Sequence, residues 1–106
     1  MADFREPEFR GPREILSVAI YEPLPGHEQD SLETMTVLLE RLSAEGFSRD
    51  FLYKDNSQYV LLRYWKSEEA RRAAHEDPEV LRCWAKLGNE IRIVKVFEVL
   101  EKVELS

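Results

Sequence analysis

The run Ile93-Val94-Lys95-Val96-Phe97-Glu98-Val99-Leu100 constrains this chain more than any other segment. Its β-branched and aromatic residues make it a strand. A strand with one face in water alternates apolar with polar. This one is apolar on both faces, as in a strand that is covered on both sides. It is the centre of a long final strand expected from Ile91 to Val103. The first strand, Glu14 to Tyr21, has the same character through Ile15, Leu16, Val18, Ala19 and Ile20. Any fold for this chain must therefore supply two covers for one sheet.

Between these strands the periodicity changes twice. Pro23-Leu24-Pro25-Gly26 breaks the chain after the first strand. Asp30 or Ser31 suits the N-cap of a helix, with Glu28 and Glu33 near its positive end. Leu32, Met35, Leu39 and Leu42 fall at helical spacing, Leu38 widens the stripe, and Gly46 suits the position after the helix. Phe47 to Lys54 reads as a strand, with Phe47, Phe51 and Tyr53 on one side. Asp55-Asn56-Ser57 is a turn signal, so Gln58 to Trp65 pairs back as a hairpin. Ser67 caps a short Ala-rich helix that ends at His75. Asp77-Pro78 restarts the chain into a second helical piece, with Leu81, Trp84, Ala85 and Gly88 spaced for one face.

The order β-α-β-β-α-β is the α+β, ferredoxin-like arrangement: an antiparallel sheet with its helices on one face. Both helical regions then cover the same side. The other side of the sheet is apolar and uncovered, which a second copy would remedy by packing face to face. The expected partner is thus a second copy, held through the sheet face and the C-terminal strand. Residues 1–13 are polar, carry Pro7, Gly11 and Pro12, and read as a flexible arm ahead of a domain over 14–106.

Charge narrows the partners further. The chain has 106 residues, with 15 Lys plus Arg against 21 Asp plus Glu and a net charge of −6. A nucleic-acid binder shows a basic stripe, and an anionic membrane surface attracts basic clusters; neither fits this balance. No apolar run approaches the roughly 20 residues that cross a bilayer. The single Cys83 forms no internal disulfide and no Cys-rich metal site, and a reducing, cytoplasmic setting is expected. His27 and His75 lie far apart with no carboxylate at helical spacing, so no metal site is expected.

Several residues have chemistry to offer, each with a structural alternative. Trp65 stacks on a planar ligand or anchors the strand-helix junction. His75 is a base titrating near neutrality, or a cap on a negative helix end. Arg63 is a charge inside an apolar strand, on the side of Tyr59, Leu61 and Trp65. A buried charge needs a partner. It either points into a pocket and holds an enolate or carboxylate, or pairs at the rim with an acid such as Glu98. Tyr21, Tyr53 and Tyr59 offer hydroxyls to a ligand or are strand aromatics. Trp84 is a core residue or a pocket lid.

The stretch Tyr64-Trp65-Lys66-Ser67-Glu68-Glu69-Ala70 through Ala74-His75, with Pro25-Gly26, Gly46, the hairpin Leu52-Tyr53-Lys54-Asp55 to Tyr59-Val60-Leu61 and Val94-Lys95-Val96-Phe97-Glu98-Val99, resembles the antibiotic-biosynthesis-monooxygenase-like domains of the dimeric α+β barrel superfamily. The resemblance runs from about residue 14 to residue 100. It implies a homodimer with a pocket in each subunit between sheet and helices. It implies a cofactor-independent monooxygenase, without metal, flavin or haem, that oxidises a small quinol, phenol or anthrone-type aromatic with molecular oxygen. Arg63 and His75 would then be catalytic, and Trp65, Trp84 and the three tyrosines would bind substrate. A haem-degrading branch of that superfamily needs an Asn, a Trp and a His; Ala19, Ala74 and Trp84 stand at those places here. The alternative function is the same barrel as a non-catalytic module that binds a small ligand or serves as scaffold. An open cavity reached by two or more of Arg63, His75 and the tyrosines would favour the enzyme, and a cavity filled by Trp65, Trp84 and Met35 the scaffold.

Overall fold

The computed structural model describes residues 15–105. The expected N-terminal arm lies outside the described residues. The elements are β1 (Ile15–Pro23), α1 (Glu28–Ala44), β2 (Ser48–Asp55), β3 (Gln58–Trp65), α2 (Glu68–Ala74), α3 (Pro78–Leu87) and β4 (Ile91–Leu100). The four strands form one antiparallel sheet in the order β2-β3-β1-β4. This is the ferredoxin-like arrangement, with the second helical region in two pieces.

Local chemistry sets most boundaries. Gly26 (φ 82°) and Gly46 (φ 72°) flank α1 in left-handed conformations that a side chain would strain. Asn56 takes φ 58° in the hairpin turn, a conformation that Asn tolerates. The Ser67 hydroxyl accepts from the Ala70 N–H at 3.0 Å and starts α2. Asp77 Oδ2 accepts from the Val80 N–H at 3.0 Å and starts α3, with Pro78 in its first turn.

Three expectations need correction. Helix α1 begins at Glu28, ahead of the expected caps, with His27 at the N-cap and no side-chain cap. Ser31 is inside the helix and donates back to the Glu28 carbonyl at 3.0 Å. A residue so placed meets its need locally and no longer marks an end. Helix α3 buries Val80, Cys83 and Leu87 and leaves Leu81 50 % exposed. The docking of α3 on α1 decides which stripe faces inward, and it turns Val80, Cys83 and Leu87 to the core. Strand β4 ends at Leu100, not Val103, because β1 offers no partner beyond Leu16 in the described pairing.

The core lies between the sheet and α1 and α3. It contains Tyr21, Met35, Leu38, Leu42, Leu61, Val80 and Leu87. Helix α1 packs against β2 and α3, and α2 reaches β3. The β1–β4 end of the same sheet face is left less covered. On the opposite face, Phe51, Tyr53 and Phe97 are exposed. Their registers, Phe51 opposite Leu62 and Phe97 opposite Val18, put them on the side away from the helices.

Candidate functional site

A cavity of about 440 Å³ opens over the β1–β4 end of the helix-bearing face. Its floor owes its depth to two small residues on β1, Ser17 and Ala19, which lie among larger neighbours. Across the sheet, Ser17 stands opposite Arg63, and Arg63 opposite Asp50. Three adjacent strands thus bring a hydroxyl, a guanidinium and a carboxylate into one row.

That row is tied by hydrogen bonds. Arg63 Nε donates to Asp50 Oδ2 in a short ion pair. The Ser48 hydroxyl donates to Asp50 Oδ1 at 2.7 Å. The Trp65 Nε1 donates to the Ser17 hydroxyl at 3.0 Å, which in turn donates to the Glu98 carbonyl at 2.5 Å. Arg63 is only 7 % exposed, so its charge needs this partner. Its guanidinium carbon lies 5.3 Å from the Trp65 ring centre and 5.9 Å from that of Trp84. Neither alternative for Arg63 is complete: it lines the cavity, and its acid is Asp50 rather than Glu98. Glu98 lies instead 3.8 Å from Arg71.

Arg63, Trp65, His75 and Trp84 come together around the cavity. His75 closes α2 as its C-cap and meets Trp65 edge-on at 5.8 Å between ring centres. The tyrosines lie elsewhere. Tyr21 and Tyr59 stack at 5.4 Å beside α1. The Tyr59 hydroxyl donates to Glu28 Oε2 at 2.6 Å. The Tyr21 hydroxyl is pushed up to about 12, first by burial and then by Tyr59. Tyr53 is 57 % exposed on the other face of the sheet. Sequence reasoning missed Ser17, Asp50 and Arg71. Ser17 and Asp50 act through strand register, which no local pattern carries.

Cys83 is buried, and burial raises its thiol above the ordinary range, so it stays protonated and inert. Among the described residues, no group of three or more His, Cys, Asp or Glu side chains gathers to hold a metal ion. Among them, no helix is long and apolar enough to cross a membrane.

No family model matches this chain, and no curated protein matches it by sequence. Solved structures match it in shape. The Rv0793 structure from Mycobacterium tuberculosis is 21 % identical, with a TM-score of 0.75, over 88 % of this chain and 98 % of that one. SnoaB, a cofactor-independent oxygenase from Streptomyces nogalater, is 18 % identical, with a TM-score of 0.68, over 86 % and 97 % of the two chains. A structure of an antibiotic biosynthesis monooxygenase is 17 % identical, with a TM-score of 0.70, over 84 % and 99 %. The fold of this chain is therefore the fold of antibiotic biosynthesis monooxygenase structures.

Proposed function

We propose that this protein is a cofactor-independent monooxygenase that oxidises a flat quinol, phenol or anthrone-type aromatic with molecular oxygen. The observation that carries the proposal is the open cavity walled by Trp65 and Trp84, with Arg63 and His75 at its edge. The shared fold with a cofactor-independent oxygenase supports it. The indoles hold a ring by stacking. His75 takes the acidic proton of the bound aromatic. Arg63 stabilises the anion that remains. That anion reduces oxygen. One oxygen atom ends as a new carbonyl on the ring and the other leaves as water, so the substrate itself supplies the electrons.

The working unit on this reading is a homodimer, with the exposed apolar face of one sheet against that of its partner. A reducing, cytoplasmic setting suits the lone buried thiol. Metal-stripped protein should consume oxygen faster than the autoxidation of a hydroquinone or anthrone panel. Arg63→Ala and His75→Ala should lose most of that uptake. Ala19→Phe, which fills the cavity floor and leaves both groups in the chain, should lose it as well. Uptake that survives all three substitutions would refute the site.

A second reading, a ligand-binding module without chemistry, draws on His75. Among the described residues, no hydrogen bond to its ring fixes the orientation of this imidazole, as a dedicated base would require. Tight binding of the panel with no uptake would select it.

A further inference from the structure

Arg63 holds more hydrogen-bonding capacity than the fold uses. Its Nη2 is buried and has no hydrogen-bond partner among the described residues. A buried donor without an acceptor is unfavourable and calls for an explanation. Asp50 does not supply one in this structure, where each of its oxygens is held by another donor. Oδ2 takes Arg63 Nε, and Oδ1 takes the Ser48 hydroxyl. The guanidinium is also flanked by the two indoles of the cavity wall. Arg63 itself lines the cavity, so a ring held by those indoles would lie beside the guanidinium, and a small shift of the wall would open Nη2 to its substituents.

The second arginine at the cavity is already paired, which leaves Arg63 as the one with an unused donor. Arg71 also lines it, paired with the exposed Glu68 at 3.2 Å and the exposed Glu98 at 3.8 Å. Asp50 balances the charge of Arg63 and Glu68 that of Arg71, so the case for an anion rests on the open hydrogen-bonding position at Arg63 and not on net charge. A neutral phenol would satisfy the stacking wall and leave the unpartnered Arg63 Nη2 without an anionic acceptor.

We propose that the natural ligand is a flat aromatic carboxylate, and that its carboxylate accepts from Arg63 Nη2 while Asp50 keeps Nε. This rests on the reading of the cavity as an aromatic-ligand site, and narrows it to an acid. Asp50 is then a positioning residue, which holds the fork so that one arm is presented to the ligand. Guanidinium-carboxylate pairs are charge-assisted and directional, and a lysine would not replace the fork.

Calorimetric titration of the full chain with 1-hydroxy-2-naphthoate, its methyl ester and 1-naphthol tests this. The acid should bind about tenfold or more tightly than its ester, the effect of one added charge-assisted hydrogen bond. That comparison uses the unaltered protein and needs no variant to fold. Arg63→Gln should bring acid and ester together, while Arg71→Gln should keep most of the difference. Equal binding of acid and ester would overturn the carboxylate and leave the cavity reading standing. A preference lost in Arg71→Gln and kept in Arg63→Gln would place the anion elsewhere and overturn the assignment. Binding of none of the three probes would remove the aromatic site itself, and this inference with it.

Discussion

Ser17 joins three strands through one hydroxyl. It accepts from the Trp65 indole on β3 and donates to the Glu98 carbonyl on β4. Ser17→Ala would leave the buried indole N–H without its acceptor. We expect a loss of about 1 kcal/mol, read as a lower urea midpoint at unchanged slope, and a change in binding at the cavity whose floor it forms. An unchanged midpoint would mean that water replaces the hydroxyl. Trp65 and Arg63 were legible in the sequence, because an aromatic at a strand end and a charge in an apolar strand are both local anomalies. Ser17 and Asp50 were not. Each is an ordinary polar residue until register sets it across from Arg63, and register depends on how three strands slide past one another.

At the scale of elements, Asp77 links two helices. It caps α3, and it takes Arg41 of α1 in a paired contact, Nη2 to Oδ1 at 2.7 Å and Nε to Oδ2 at 3.1 Å. The Arg41 hydrogen bond is the main reason that its carboxyl titrates below the usual range. A carboxyl depressed in the folded state stabilises the fold above its unfolded value, near about 4. That contribution fades as pH falls through the lower folded value. The urea midpoint of the native chain should therefore fall on going from pH 6 to pH 3. It should fall less in Asp77→Asn, which starts lower; parallel curves would show that the pair is not coupled to folding. The cap itself was legible, since Asp-Pro before an apolar stretch is a start signal. Its second role was not, because Arg41 lies on another element and pairs only after α1 and α3 have packed. The inward stripe of α3 was misjudged for a related reason: Leu81 is as apolar as Val80, and only the docking of α3 on α1 separates them.

At the scale of the molecule, the β-α-β-β-α-β order was readable from periodicity and turn residues, and so was the apolar character of the final strand. The structure leaves that strand exposed along most of its length, with Val99 56 % open. One chain alone supplies helices for one side of its sheet. The proposed dimer covers the other, and Phe97 stands on that side. Phe97→Glu should give a monomer by sedimentation, with α-helical and β-sheet circular dichroism retained. A native chain that already sediments as a monomer would remove the dimer. The same architecture has an optical consequence. The chain has two tryptophans, and Trp65 and Trp84 wall one cavity. All of its indole emission therefore arises at that cavity, and its intensity and colour are an unlabelled signal of whether the cavity is filled.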